Sequence, residues 1–152
     1  MSEARALGRI AAALAVAVVI GVVTGCSRTP SIRFVANGGS HTLAEVERTA
    51  ATTGLGSAAA VRVEDAARVR EQVLVRLREL GADAGKAADL LTREFPLVTK
   101  AVPLYVEGAT VDGHPAWIVV EAWGDRTGNL KYRRLWVFDR SNSYVLDAKT
   151  YR

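Results

Sequence analysis

The chain has 152 residues and a mass of 16.3 kDa, a length that suits one domain and hardly two. Hydrophobic residues make up 49% and charged residues 24%, which excludes a disordered chain, and a net charge of +4 is too small to mark a nucleic-acid binder by itself. One cysteine excludes an intramolecular disulfide, and two histidines leave little for an internal His/Cys metal site.

The N-terminus divides from the rest. Arg5 and Arg9 precede an apolar run from Ile10 to Val23, in which 13 of 14 residues are apolar. A membrane-spanning helix needs about 20 such residues, so this run fits the apolar core of a secretory signal. Val23-Thr24-Gly25-Cys26 follows directly. It resembles the lipobox of bacterial lipoproteins: an aliphatic residue, a small residue, Gly or Ala, then Cys. The resemblance implies acylation of the Cys26 thiol and cleavage before it, with residues 1–25 removed as a signal peptide. It also implies an extracytoplasmic protein anchored to the cell membrane. It accounts for the unpaired cysteine as well. The alternative is an uncleaved signal anchor in which Cys26 is incidental. Both readings place the remainder of the chain outside the cytoplasm, where nucleic acid is a poor partner.

Residues 26–41 contain Pro30, Gly38 and Gly39 and read as the lipidated cysteine and its tether, with a possible short strand at residues 32–35. Residues 42–152 read as one domain. Thr42-Leu43-Ala44-Glu45 is a capping box, which predicts a helix to about Thr53 before Gly54 and Gly56. Ser57 is a candidate cap for a longer helix ending near Leu80, with Ala66, Val69, Val73, Leu77 and Leu80 on one stripe. Asp83 is then expected to cap a third helix carrying Ala84, Ala87, Ala88, Leu91 and Phe95, which Pro96 terminates.

From about Val98 the hydrophobic period changes to two. Strands are expected near 102–111, 115–123, 131–139 and 143–151, separated by Asp112-Gly113, the turn 124–129 and the turn 140–143. The expectation is an α+β fold with two to three N-terminal helices packed on a four-stranded antiparallel meander. The order of elements loosely resembles small cystatin-like or NTF2-like domains, though no residue motif carries that likeness. The hairpin sets Val111 opposite His114 and Tyr105 opposite Val120. Leu104, Val106, Trp117, Val119, Glu121 and Trp123 then share one face, with Tyr105, Val111, Ile118, Val120 and Ala122 on the other. In the last hairpin Tyr132, Arg134, Trp136, Phe138, Asp147, Lys149 and Tyr151 are expected to point one way, away from Leu135, Val137, Leu146 and Ala148.

This parity assembles a candidate binding face from Trp117, Trp123, Trp136, Tyr132, Tyr151, Arg134 and Lys149. Flat aromatics beside cations suit an envelope protein, a peptide or a glycan. The bland alternative is that the helices cover the tryptophans as ordinary core. Residues 126–152 also hold seven basic residues against two acids, an excess that would attract anionic headgroups or wall polymers. Support for catalysis is thin. The sequence carries no nucleophile-elbow, zinc-protease or P-loop motif, and no cofactor is implied. Glu107 and Glu121 fall on opposite faces, which argues against a paired-carboxylate glycosidase. The reading is a lipid-anchored, non-catalytic binding or accessory module of the cell envelope. The alternative is a small extracytoplasmic hydrolase, with Glu107, Asp112 and His114 near one strand end.

Overall fold

The computed structural model describes residues 29–95 and 99–152. The expected signal segment, Cys26 and Pro96 lie outside the described residues. The chain forms β1 (Arg33–Val35), β2 (Ser40–His41), α1 (Leu43–Thr52), α2 (Ala66–Glu79), α3 (Ala82–Glu94), β3 (Ala101–Val111), β4 (His114–Trp123), β5 (Tyr132–Asp139) and β6 (Val145–Tyr151). The class is α+β, but the sheet is mixed. β3 to β6 form the expected antiparallel meander, while β1 and β2 both pair with β3 in parallel.

The stretch expected to be a tether therefore joins the fold from Thr29 onward. Thr29 Oγ1 donates to Gln72 Oε1 at 3.2 Å, and the Thr29 carbonyl accepts from Arg76 at 3.1 Å. Pro30 is buried, and Ile32 and Phe34 pack against the main core. A three-residue strand gives no periodic signal of its own; its backbone is satisfied only because the edge of β3 is present to pair with it.

The capping box forms as expected. Thr42 N donates to Glu45 Oε2 at 2.7 Å, and Glu45 N donates back to Thr42 Oγ1 at 3.3 Å. The second helix is shorter than its pattern predicts. Residues 56–60 and 63–65 are 3₁₀ turns, and α2 starts at Ala66. Between those turns the backbone pairs with the β4–β5 connection: Leu130 N donates to the Val61 carbonyl at 2.9 Å and Val63 N to the Gly128 carbonyl at 2.8 Å. Those bonds require extended geometry at Val61 and Arg62, which a continuous helix cannot supply. Leu80 completes the apolar stripe in sequence yet lies exposed, because it is the C-cap, past the last packed turn. Asp83 does not cap α3. Gly81 occupies the cap, and Asp83 sits inside the first turn, where it accepts from Lys86 at 3.0 Å.

The Asp112-Gly113 turn has φ of 47° and 85°, the two positive values a type I′ hairpin needs. Val111 lies opposite His114 and Tyr105 opposite Val120, as the turn predicts. The helices cover both faces of the sheet. Val46 and Ala50 of α1 pack on Ala109, Val111, Ile118, Val120, Leu135 and Val137. Leu74 and Leu77 of α2, with Ala84, Ala88 and Leu91 of α3, pack on Val106, Trp117, Val119 and Phe138. A third cluster at the start of α2 joins Val63, Val69 and Val73 to Val102, Leu104 and Leu130. No described helix is long and apolar enough to cross a membrane.

The last strand corrects the expected faces. Asp139 N donates to the Tyr144 carbonyl at 2.8 Å, so the turn closes where expected. Phe138 then pairs with Val145, but Val137 pairs with Asp147. Leu146 is the extra residue of a bulge, and a one-residue insertion exchanges the faces of everything beyond it. Asp147, Lys149 and Tyr151 consequently share a face with Leu135 and Val137, under α1. They are separated from Tyr132, Arg134 and Trp136.

Candidate functional site

The seven residues of the expected binding face are divided by this packing. Lys149 and Tyr151 belong to the α1 side. Lys149 Nζ lies 2.6 Å from Glu47 Oε2, and the Tyr151 hydroxyl donates to the Glu47 carbonyl at 3.0 Å. Trp117 is 4% exposed beneath α3, with the Arg140 guanidinium 4.2 Å from its ring centre. Trp136 is half-buried against Phe95, with ring centres 4.8 Å apart. Trp123, Tyr132 and Arg134 remain at the surface of the α2–α3 side, each partly exposed.

This remnant is an ordered array at the end of the sheet where β4 finishes and β5 starts. The rings of Trp123 and Tyr132, a directly opposed pair, have centres 5.1 Å apart. The Arg134 guanidinium lies 4.8 Å from the centre of Trp123 and 5.7 Å from that of Trp136. The Arg152 guanidinium lies 5.7 Å from Trp123 and 5.6 Å from Tyr132, while Lys131 Nζ is 5.0 Å from Tyr132. At these distances the ring quadrupoles attract the cations. Asp125, in the adjoining turn, is held below the ordinary aspartate range, first by the Arg126 backbone N–H and also by the nearby charges of Lys131 and Arg152.

Beneath this array lies a charged pair that sequence reading missed. Arg70 and Glu121 are 2% and 0% exposed. Arg70 Nη1 donates to Glu121 Oε1 at 2.5 Å and to the Ala101 carbonyl at 3.1 Å. Arg70 Nη2 donates to the Leu91 carbonyl at 3.3 Å, and Trp136 Nε1 donates to Glu121 Oε2 at 3.0 Å. The Arg70 guanidinium also lies 5.4 Å from the Phe95 ring centre. A single acid in the apolar strand sequence of β4 and an arginine beside the stripe of α2 were the available signals. They become a pair only when helix and sheet meet.

A second polar cluster lies on the α1 side. Glu107 is 6% exposed; His41 Nε2 lies 2.8 Å from its Oε1, and the Tyr105 hydroxyl donates to its Oε2. Burial, then the bond to Glu107, pushes the Tyr105 hydroxyl well above the ordinary tyrosine value. The cluster lines a cavity of about 140 Å³. A groove of about 370 Å³, lined by Arg33, Thr53 and Ser57 among others, shares Thr49 and Tyr105 with it. The composition of residues 26–41 reads as a tether and gives no sign of this role for His41, whose partner stands 66 residues away. Parallel pairing of β2 with β3 brings the two together. Asp112 and His114, the other members of the expected hydrolase cleft, are occupied elsewhere or exposed. Asp112 Oδ2 accepts from Leu43 N at 3.3 Å, and His114 faces solvent. Glu107 and Glu121 lie on opposite faces, as parity predicts. Among the described residues no group of three or more His, Cys, Asp or Glu is placed to hold a metal ion.

Comparison of the chain with protein-family models, with curated proteins and with solved structures finds no match.

Proposed function

We propose that this protein is a lipid-anchored, non-catalytic binding or accessory module of the cell envelope, held outside the cytoplasmic membrane through acylated Cys26. The observation that carries the reading is the Val23-Thr24-Gly25-Cys26 sequence, placed directly after the apolar run and using the chain's single cysteine. The position of Thr29 supports it. Thr29 is bonded to α2 and stands three residues after Cys26 in the sequence. A short connection of that kind keeps the domain close to the bilayer surface, within about 10 Å of the anchored residue. The partly exposed Trp123–Tyr132–Arg134 array supports a binding role at that surface.

The test is metabolic labelling of the expressing cells with an alkyne fatty acid, followed by membrane fractionation and crosslinking of intact cells. Wild-type chain is expected to carry the label and to sediment with membranes, and Cys26→Ala to lose both. An unlabelled Cys26→Ala chain that still sediments would favour the uncleaved anchor instead. A discrete protein adduct would identify an accessory subunit.

A small extracytoplasmic hydrolase is the second reading, favoured by His41 and Glu107 bonded beside the groove at Tyr105. A carboxylate that orients an imidazole is an arrangement general-base catalysis uses. Any hydrolytic turnover found with ester or amide substrates should fall in both Glu107→Gln and His41→Ala. Turnover unchanged in both removes this reading.

A further inference from the structure

The cations at the β4–β5–β6 end of the sheet lack acid partners. Among the described residues, Arg126, Lys131, Arg134 and Arg152 form no ion pair. Glu121 lies directly across from Arg134 in the sheet, yet its two oxygens are taken by Arg70 and Trp136. The charge of the Asp125 carboxylate reaches Lys131 and Arg152, but that carboxylate accepts from the Arg126 backbone N–H and forms no ion pair among the described residues. Arg134 and Arg152 both lie over Trp123, so their guanidinium carbons are separated by no more than the sum of their two distances from that ring centre. Cations held beside these rings keep N–H donors that no carboxylate takes, and those donors are free to bind something else. With cations placed near the Trp123 and Tyr132 rings, the surface offers donors as well as aromatic carbon.

We propose that this end of the sheet binds a phosphate-bearing polymer outside the cell. Phosphate fits better than a lone carboxylate. Its oxygens diverge, so each phosphate can take donors from more than one side and successive phosphates of a chain can meet cations spread over the surface, whereas a planar carboxylate matches a single guanidinium fork. A polymer fits better than a free ion because Lys131 and Arg126 extend the positive surface beyond the Arg134–Arg152 pair. The proposal rests on the reading of the domain as a binding module but not on Cys26, so the labelling experiment and the one below can fail separately.

The test uses the full chain purified in non-ionic detergent, titrated with inorganic polyphosphate and followed by tryptophan fluorescence and calorimetry. Binding is expected to weaken steeply with added salt, as counterion release requires. Arg134→Gln and Arg152→Gln should each lose about tenfold in affinity, the loss of one charge-assisted contact. Arg134→Lys should recover only part of the loss, since an ammonium keeps the charge but not the fork. Near-UV circular dichroism checks that each variant keeps its fold. Asp125→Asn, in an exposed turn, should bind about twofold more tightly because an opposing charge near Lys131 and Arg152 is gone. Polyphosphate binding that is unchanged in the Arg134→Gln/Arg152→Gln double variant would overturn the proposal. So would orthophosphate competing as well as polyphosphate at equal phosphate, which marks a single-ion site. The proposal also falls if polyphosphate fails to bind while vesicles containing phosphatidylglycerol capture wild type better than the double variant; the surface would then be a membrane contact.

Discussion

Replacing Glu121 with leucine tests the buried network most directly. In the wild type the carboxylate is fully buried and neutralises an arginine that is itself almost wholly enclosed. Leucine would leave the Arg70 guanidinium with two backbone carbonyls and no countercharge, and would remove the acceptor of the Trp136 indole N–H. Removing one member of a buried pair costs about 3–5 kcal/mol, because the remaining charge keeps its desolvation penalty without compensation. A domain of this size should then melt roughly 10–20 °C lower. Arg70→Met/Glu121→Leu removes both charges together and should recover most of that loss, since well-packed apolar groups often match or exceed a buried ion pair. Urea unfolding of wild type, both single variants and the double variant, monitored by circular dichroism and tryptophan fluorescence, closes the cycle. A Glu121→Leu cost below about 1 kcal/mol, or a double variant no more stable than Glu121→Leu, would refute the assignment of an interior ion pair. The same variant should disturb the surface above it, because Trp136 is one of the two tryptophans over which Arg134 lies.

Other predictions concern the N-terminal strands and the tyrosines. A Cβ on Gly38 would sit 1.4 Å from Glu107 Oε1, so Gly38→Ala should displace the carboxylate from His41 and Tyr105 and cost about 1–3 kcal/mol in thermal or urea unfolding. The raised pKa of Tyr105 means that the folded state holds the phenolic proton more tightly than the unfolded chain. That contribution is complete below the unfolded value of about 10 and is lost as pH rises toward the folded value, so melting temperature should decline on the alkaline side with a smaller slope in Tyr105→Phe. Thr42→Ala removes one side of the capping box and should cost about 1 kcal/mol. Iodide should quench Trp123 preferentially; a strong loss of quenching in Trp117→Phe would contradict the burial of that ring beneath α3.

The structure explains why the surface candidates were only partly legible. Local periodicity marked the helices and the four meander strands because each element writes its own apolar stripe. Turn chemistry at Asp112-Gly113 then set the first hairpin correctly from the turn to Tyr105 and Val120, since positive φ at two adjacent residues is a local demand. The bulge at Leu146 has no comparable signature. Its effect is not local either: it carries Lys149 and Tyr151 to the α1 side and removes them from the aromatic array.

The sequence by itself determined the α+β class, the α1 capping box, the α3 stripe and the register of β3 against β4 from the turn back to Tyr105, beyond which a bulge at Leu104 shifts it. Those features depend on contacts between near neighbours or on one tight turn. It also supplied the lipobox resemblance on which the proposed anchoring rests. Tertiary structure alone decided that helices cover both faces of the sheet and that β1 and β2 extend it in parallel. It alone paired Arg70 with Glu121 and His41 with Glu107. The physical reason is shared. A buried charge, or a strand too short to stand alone, is tolerated only when a distant segment supplies its partner, and no residue spacing records which segment that will be.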